Sequence, residues 1–143
     1  MRCRNCGVEM HPGAAACTRC GVRTLTGRRF CQACGNETQA MDGRCAHCGA
    51  TLVDLSGLPD YYWDEFRRIH ESHEGYKGKW NWAALLFGPI WALTKGIWLS
   101  PLVALVGGLI THGLVMIGYW FVFAARGNYM YYMAHVKRKQ VPI

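Results

Sequence analysis

No acidic residue follows Glu74, no cysteine follows Cys48, no lysine precedes Lys77, and Phe30 is the one aromatic residue before position 60. Each absence excludes something. Without carboxylates, the second half cannot assemble the acid pair that many hydrolytic sites need. Without lysines or exposed rings, the first half lacks the usual means of holding phosphates and stacking bases. A G-x-S-x-G elbow and a phosphate-binding loop are also missing, so the sequence reads as non-enzymatic. What is present is unevenly spread over 143 residues with a formal net charge of +7. Residues 1–49 hold seven arginines and three acids, 50–74 two arginines and six acids, and 75–143 seven basic residues. A polar, cysteine-rich half precedes an apolar, aromatic half, which excludes one homogeneous globule.

The eight cysteines form four C-x2-C pairs: Cys3/Cys6, Cys17/Cys20, Cys31/Cys34 and Cys45/Cys48. The second set repeats the first after 28 residues, which marks an internal duplication. A glycine follows every pair (Gly7, Gly21, Gly35, Gly49), where it supplies a positive φ to a turn that wraps a metal-bound sulfur. Two such knuckles facing each other offer four thiolates in tetrahedral array, the ligand set of structural Zn²⁺. Disulfides would need an oxidising compartment, and polar residues begin directly after Met1, unlike a signal peptide. A redox C-x2-C would need a βαβ context that the sequence lacks.

Two Zn²⁺ are therefore expected, one per repeat (1–24 and 25–50). Duplication of a complete unit favours this over an interleaved cross-brace. The arrangement resembles the double zinc ribbon of bacterial and archaeal proteins over residues 1–50. Eight thiolates and two divalent ions carry a net −4, which cancels the +4 of this region. Its seven arginines then read as charge compensation, and nucleic acid is disfavoured as a partner. His11 and His47 add no ligand. Each repeat is too small to bury an adequate core, so metal supplies the folding free energy.

Residues 51–58 read as a linker with turn chemistry at Ser56-Gly57. Pro59 suits the first turn of a helix, and Asp60, Asp64 and Glu65 suit its positive end. Over 59–73, Tyr62, Phe66 and Ile69 share one face, flanked by Trp63 and His70. This predicts an amphipathic connector helix that packs against protein.

From Trp80 to Ala125 only Lys95 is formally charged. That run, with repeated tryptophans and glycines, predicts a membrane hairpin over 78–126 with helices at about 80–99 and 102–125. The first would kink at Gly88-Pro89, and Ser100-Pro101 would separate the two. The alternative keeps 80–94 as an interfacial or re-entrant helix before one tilted span over 97–125. Lys77 and Lys79 precede the apolar run, and Arg126, Lys137, Arg138 and Lys139 follow it. The positive-inside rule then puts both ends in the cytoplasm, which favours the hairpin. Residues 127–143 read as a basic, aromatic cytoplasmic tail, with YMYYM as an interfacial belt and Lys137–Lys139 against anionic headgroups.

The run KWNWAALLFGPIWALTKGIW at 79–98, with GNYMYYMAHVKRK at 127–139, resembles a bacterial membrane family catalogued as domain of unknown function 2628. Asn81, Trp82, Phe87, Gly88, Pro89, Trp91, Gly127 and Asn128 carry the resemblance, as does the Tyr-Tyr-x-x-x-Phe run at 61–66. It implies a membrane topology and no activity.

His112 is the one ionisable residue near the middle of the second expected span, with Gly108 one turn earlier. Such a residue is a neutral histidine bonded within the helices, a ligand to a pigment or haem, or a contact to a partner. Asn81 and Asn128 read as helix-end braces. The expected fold is thus a metal-stapled tandem zinc ribbon with short β pairing, followed by an α-helical membrane hairpin. The expected function is a non-catalytic, membrane-anchored adaptor or accessory subunit at the bacterial inner membrane, ribbons and C-terminus cytoplasmic, with lipid and a protein partner. A membrane-tethered nucleic-acid-binding regulator and a pigment- or haem-binding subunit are the alternatives.

Overall fold

A computed structural model describes residues 1–141 and divides into two compact units, Met1–Trp63 and Asp64–Ile143. In the first unit, each C-x2-C-G run closes a tight turn. The amides of Gly7, Gly21, Gly35 and Gly49 donate to the carbonyls of Cys3, Cys17, Cys31 and Cys45 at 2.8–3.0 Å. These glycines have φ between 69° and 80°, where a side chain would be strained. The amide of each leading cysteine then bonds the carbonyl five residues on, to Val8, Val22, Asn36 and Ala50. One antiparallel bridge flanks each turn (Arg2 with Glu9, Ala16 with Arg23, Phe30 with Glu37, Arg44 with Thr51), and no longer strand forms among the described residues. The apolar cores are correspondingly small. Met10 packs with Cys3 and Cys17, and Leu52 with Cys31 and Cys45.

The repeats meet about a local two-fold. The Arg2 amide donates to the Gln32 carbonyl at 2.9 Å, and the Phe30 amide to the Arg4 carbonyl at 3.0 Å. Residues 2 and 30 are equivalent under the 28-residue period, as are 4 and 32. The Phe30 ring lies against Gly7, and the Arg2 side chain against Gly35, so each repeat covers a glycine of the other. At the centre, Arg4 is 2% exposed and donates to the Gln32 side chain at 3.0 Å and to the Gly27 carbonyl at 2.8 Å. Arg4 is therefore a buried fastener between the repeats as well as one of the compensating charges. Burial lowers its pKa, an effect opposed by Asp54.

The segment 51–58 does not behave as a free linker. Leu52, Val53 and Leu55 are buried, and the Leu55 amide bonds the Leu25 carbonyl at 2.9 Å. Asp54 accepts from Arg28 at 2.5 Å and from the Ser56 amide at 3.0 Å. The connector helix is α1, Asp60–Glu71. Its first turn completes this unit, with the Trp63 indole donating to the Thr24 carbonyl at 3.1 Å and Asp60 paired with Arg23 at 2.6 Å.

In the second unit the rest of α1 is followed by α2 (Trp82–Thr94), α3 (Leu99–Ile110) and α4 (Leu114–Val136). Phe66 is sealed beneath the rings of Tyr131 and Tyr132, at 5.0 and 5.5 Å. This overturns the interfacial belt at YMYYM, because Met130, Tyr132 and Met133 are core residues. The segment expected as a tail over 127–143 continues α4 as far as Val136, and its last two residues lie outside the described ones. The expected helix over 102–125 is broken instead at Thr111–Gly113, where Gly113 takes φ 92°. Gly88 interrupts α2 with φ 43° and ψ −117°, a conformation open to glycine alone. A Cβ there would fall 1.8 Å from the Trp120 indole nitrogen.

Among the described residues, no single helix is long and apolar enough to cross a membrane. α2 and α3 meet that condition only as a pair bent by 120°.

A buried polar network joins these helices. Asn81 caps α2 by accepting from the Ala84 amide at 3.0 Å, and its side-chain amide donates to Asn128 at 2.8 Å. Asn128 is fully buried and donates to Glu65 at 3.3 Å and to the Lys79 carbonyl at 3.2 Å. Glu65, 1% exposed, also accepts from the Lys79 amide at 2.7 Å and the Tyr76 hydroxyl at 3.1 Å. Asn81 caps a helix end as expected, whereas Asn128 lies inside α4 and braces the start of α2 from there. Glu65, expected to serve the helix dipole at the surface, is the hub of the network.

Candidate metal centres

The eight cysteines gather into two groups, Cys3, Cys6, Cys17 and Cys20, then Cys31, Cys34, Cys45 and Cys48. Within each group all sulfurs lie within 4.8 Å of one another. Cys3 and Cys20 are 3.7 Å apart, Cys6 and Cys17 3.6 Å, Cys31 and Cys48 3.7 Å, and Cys34 and Cys45 3.6 Å. Four sulfurs bound at about 2.3 Å to one ion in a regular tetrahedron would be about 3.8 Å apart. A disulfide needs about 2.05 Å, so these distances describe ligands and not bridges. The ligand groups form in sequence, one per repeat.

The donor chemistry also calls for a cation. In the first group, burial pushes the Cys3 thiol up to about 12, while the Val22 amide and Asn5 draw Cys20 down to about 6. In the second group, the Cys48 amide draws Cys45 down to about 6. Four thiols this close cannot all ionise by themselves, because each new thiolate meets the charge of its neighbours. A divalent soft ion removes that conflict and fills all four positions. The shell is then closed to water and substrate, which fits a structural role. The leading cysteines Cys3, Cys17, Cys31 and Cys45 are buried, and Cys48 is the exposed corner. His11 and His47 are both exposed and belong to neither group.

His112 is placed differently from the sequence expectation. It occupies the turn between α3 and α4, is exposed, and takes φ 50°. The space over Gly108 is filled by Met116, whose Cγ would lie 2.4 Å from a Cβ at Gly108. A flat macrocycle therefore has no approach along that face, and the steric basis for the ligand reading lapses. The triplet Arg28-Arg29-Phe30, a natural choice for a partner contact because it joins the repeats, is also largely committed. Arg28 pairs with Asp54 and Phe30 covers Gly7, although Arg28 and Arg29 both remain exposed. No protein-family model, curated protein or solved structure matches the chain.

Proposed function

We propose that the chain is a non-catalytic, membrane-anchored adaptor or accessory subunit, in which two zinc-loaded ribbons present a rigid surface to a protein partner. One observation carries the membrane part. α2, α3 and the first half of α4 expose Leu86, Ile90, Leu105, Leu109, Leu114 and Phe121 in a unit with no acidic residue after Glu74. Exposed apolar surface on this scale, bordered by more cations than the one acid, Glu74, that pairs with Lys137, suits lipid with anionic headgroups.

Zinc is the ion that the closed four-thiolate sets favour. Thiolates held as metal ligands suit a reducing compartment, which supports the cytoplasmic face of a bacterial inner membrane. Asn81, Gly88, Trp91, Gly127 and Asn128, which carry the resemblance to domain of unknown function 2628, include the buried bracing residues of α2 and α4. That supports a shared architecture. Cell fractionation followed by mild-detergent capture and mass spectrometry tests the reading. The chain should sediment with membranes, carry about two zinc ions, and retain a partner lost when a ribbon cysteine is replaced. Recovery in the soluble fraction would end the membrane part.

A further inference from the structure

The α3–α4 hairpin has a directed polarity. Its turn end is apolar but for the exposed His112: Leu109 and Ile110 are each 74% exposed, and Leu114 and Ile117 continue the surface. The cations gather around the other end of α4. Lys77 Nζ stands 4.0 Å over the Tyr129 ring, Lys95 Nζ 5.0 Å over Tyr131, and Arg126 and Lys137 lie at or beyond the last apolar turn. Of the exposed tryptophans, Trp80, Trp82 and Trp98 stand at the starts of α2 and α3 and Trp120 lies six residues into α4, and none stands at the turn itself. A spanning hairpin would carry interfacial groups at both ends. This one carries them at one.

Length points the same way. α3 has 12 residues, and α4 runs 12 residues from Leu114 before Arg126, so each arm reaches about 18 Å at ~1.5 Å per residue. The hydrocarbon core is about 30 Å thick. The turn is also built for a place without water. Thr111 and Gly113 donate their amides to Gly107 and Gly108 at 3.0 and 2.8 Å. The Leu114 and Met116 amides reach Thr111 and Gly113, and the Val115 amide reaches the Thr111 hydroxyl at 3.2 Å. That hydroxyl itself donates to the Gly107 carbonyl at 2.8 Å. Backbone donors buried in lipid must find internal partners, and these five do.

From this geometry we infer that the α3–α4 hairpin enters one leaflet only, with Thr111–Gly113 as its buried tip and the cations on a single headgroup layer. This rests on the membrane reading above and replaces a two-span crossing with insertion from one side.

The test uses the full-length zinc-loaded chain and vesicles of phosphatidylcholine with phosphatidylglycerol. The chain should float with the vesicles. Leu109→Asp with Ile110→Asp alters two exposed side chains and should cut binding by about tenfold or more. Met41→Asp, at an exposed site in the cysteine unit, should leave binding unchanged. An azide-bearing phenylalanine at position 112 should then resist a membrane-impermeant alkyne supplied outside or trapped in the lumen. Labelling from the lumen would show a crossing and overturn one-leaflet insertion while leaving membrane anchoring intact. Binding indifferent to the tip change, or labelling from outside, would also overturn it. No flotation at all would defeat the membrane reading itself, and self-association of the unbound chain would then assign the apolar face to a second copy.

Discussion

In the cysteine unit, the residues at the centre of each small core are Cys3 and Cys17, or Cys31 and Cys45, with Met10 or Leu52 beside them. In the helical unit, the sealed residues are Phe66, Ile69, Phe123 and Tyr132, together with Glu65, Asn81 and Asn128. The first unit thus gathers its ligands and its apolar side chains at the same points, while the second holds its helices by packing and a satisfied polar network. A metal is indispensable where about 25 residues cannot bury enough surface. A chain that buries whole aromatic rings has no such need. The difference teaches that one part of this molecule should be sensitive to chelators and the other to single side-chain losses.

The largest expected effect is metal removal. A strong chelator, or Cys17→Ser with Cys45→Ser, should unfold the cysteine unit, a loss on the order of 10 kcal/mol. The helical circular dichroism should persist, and loss of both signals together would break the comparison. Gly88→Ala should destabilise the helical unit by about 3 kcal/mol, combining a forbidden backbone conformation with a clash against Trp120. Its denaturant midpoint should fall while bound zinc stays constant.

Asn128→Ala takes one of three donors from the buried Glu65 and strands the Asn81 amide and the Lys79 carbonyl, and should cost about 2–3 kcal/mol in the same assay. Arg4→Met should cost about 1–2 kcal/mol, because the Gly27 carbonyl and Gln32 lose their donor. Zinc stoichiometry should not change, but protease should cut between the repeats faster.

The smallest effect is on acid sensitivity. Burial, aided by Lys137 and His73 and opposed by Glu71 and Glu74, holds His70 below its ordinary value of 6.5. The folded unit therefore prefers the neutral ring, and this contribution is complete above pH 6.5 and lost as pH falls below it. His70→Asn should flatten the stability profile just under pH 6.5. Glu74 lies below its ordinary 4.5 because Lys137 donates to it, so its contribution fades only at more acid pH. The two windows separate the residues.

The metal groups were legible because ligand spacing is local: a C-x2-C-G run writes its own turn, and the 28-residue period pairs the turns. The two-fold between repeats was not legible. Arg4 and Phe30 look like surface residues until Gln32 and Gly7 are brought to them. The apolar run announced its composition and its break at Gly88-Pro89. The gap between α2 and α3 falls at 95–98, however, and Ser100-Pro101, read as the break, lie in the first turn of α3. The run did not announce the turn at Thr111–Gly113, since Gly107, Gly108 and Gly113 also suit close packing of a continuous helix. Glu65 misled for a related reason. A carboxylate near a helix start suits the dipole, and nothing nearby in sequence says that Asn128 will reach it.

The pairing of Arg4 with Gln32 has a further consequence, for ancestry. A single repeat meeting its own copy about the same two-fold would place one side chain opposite an identical partner. Two arginines there would repel, and two glutamines would forgo the charge. Once the copies were fused in one chain, each could change alone, and a donor came to face an acceptor across an axis that remains visible in the backbone.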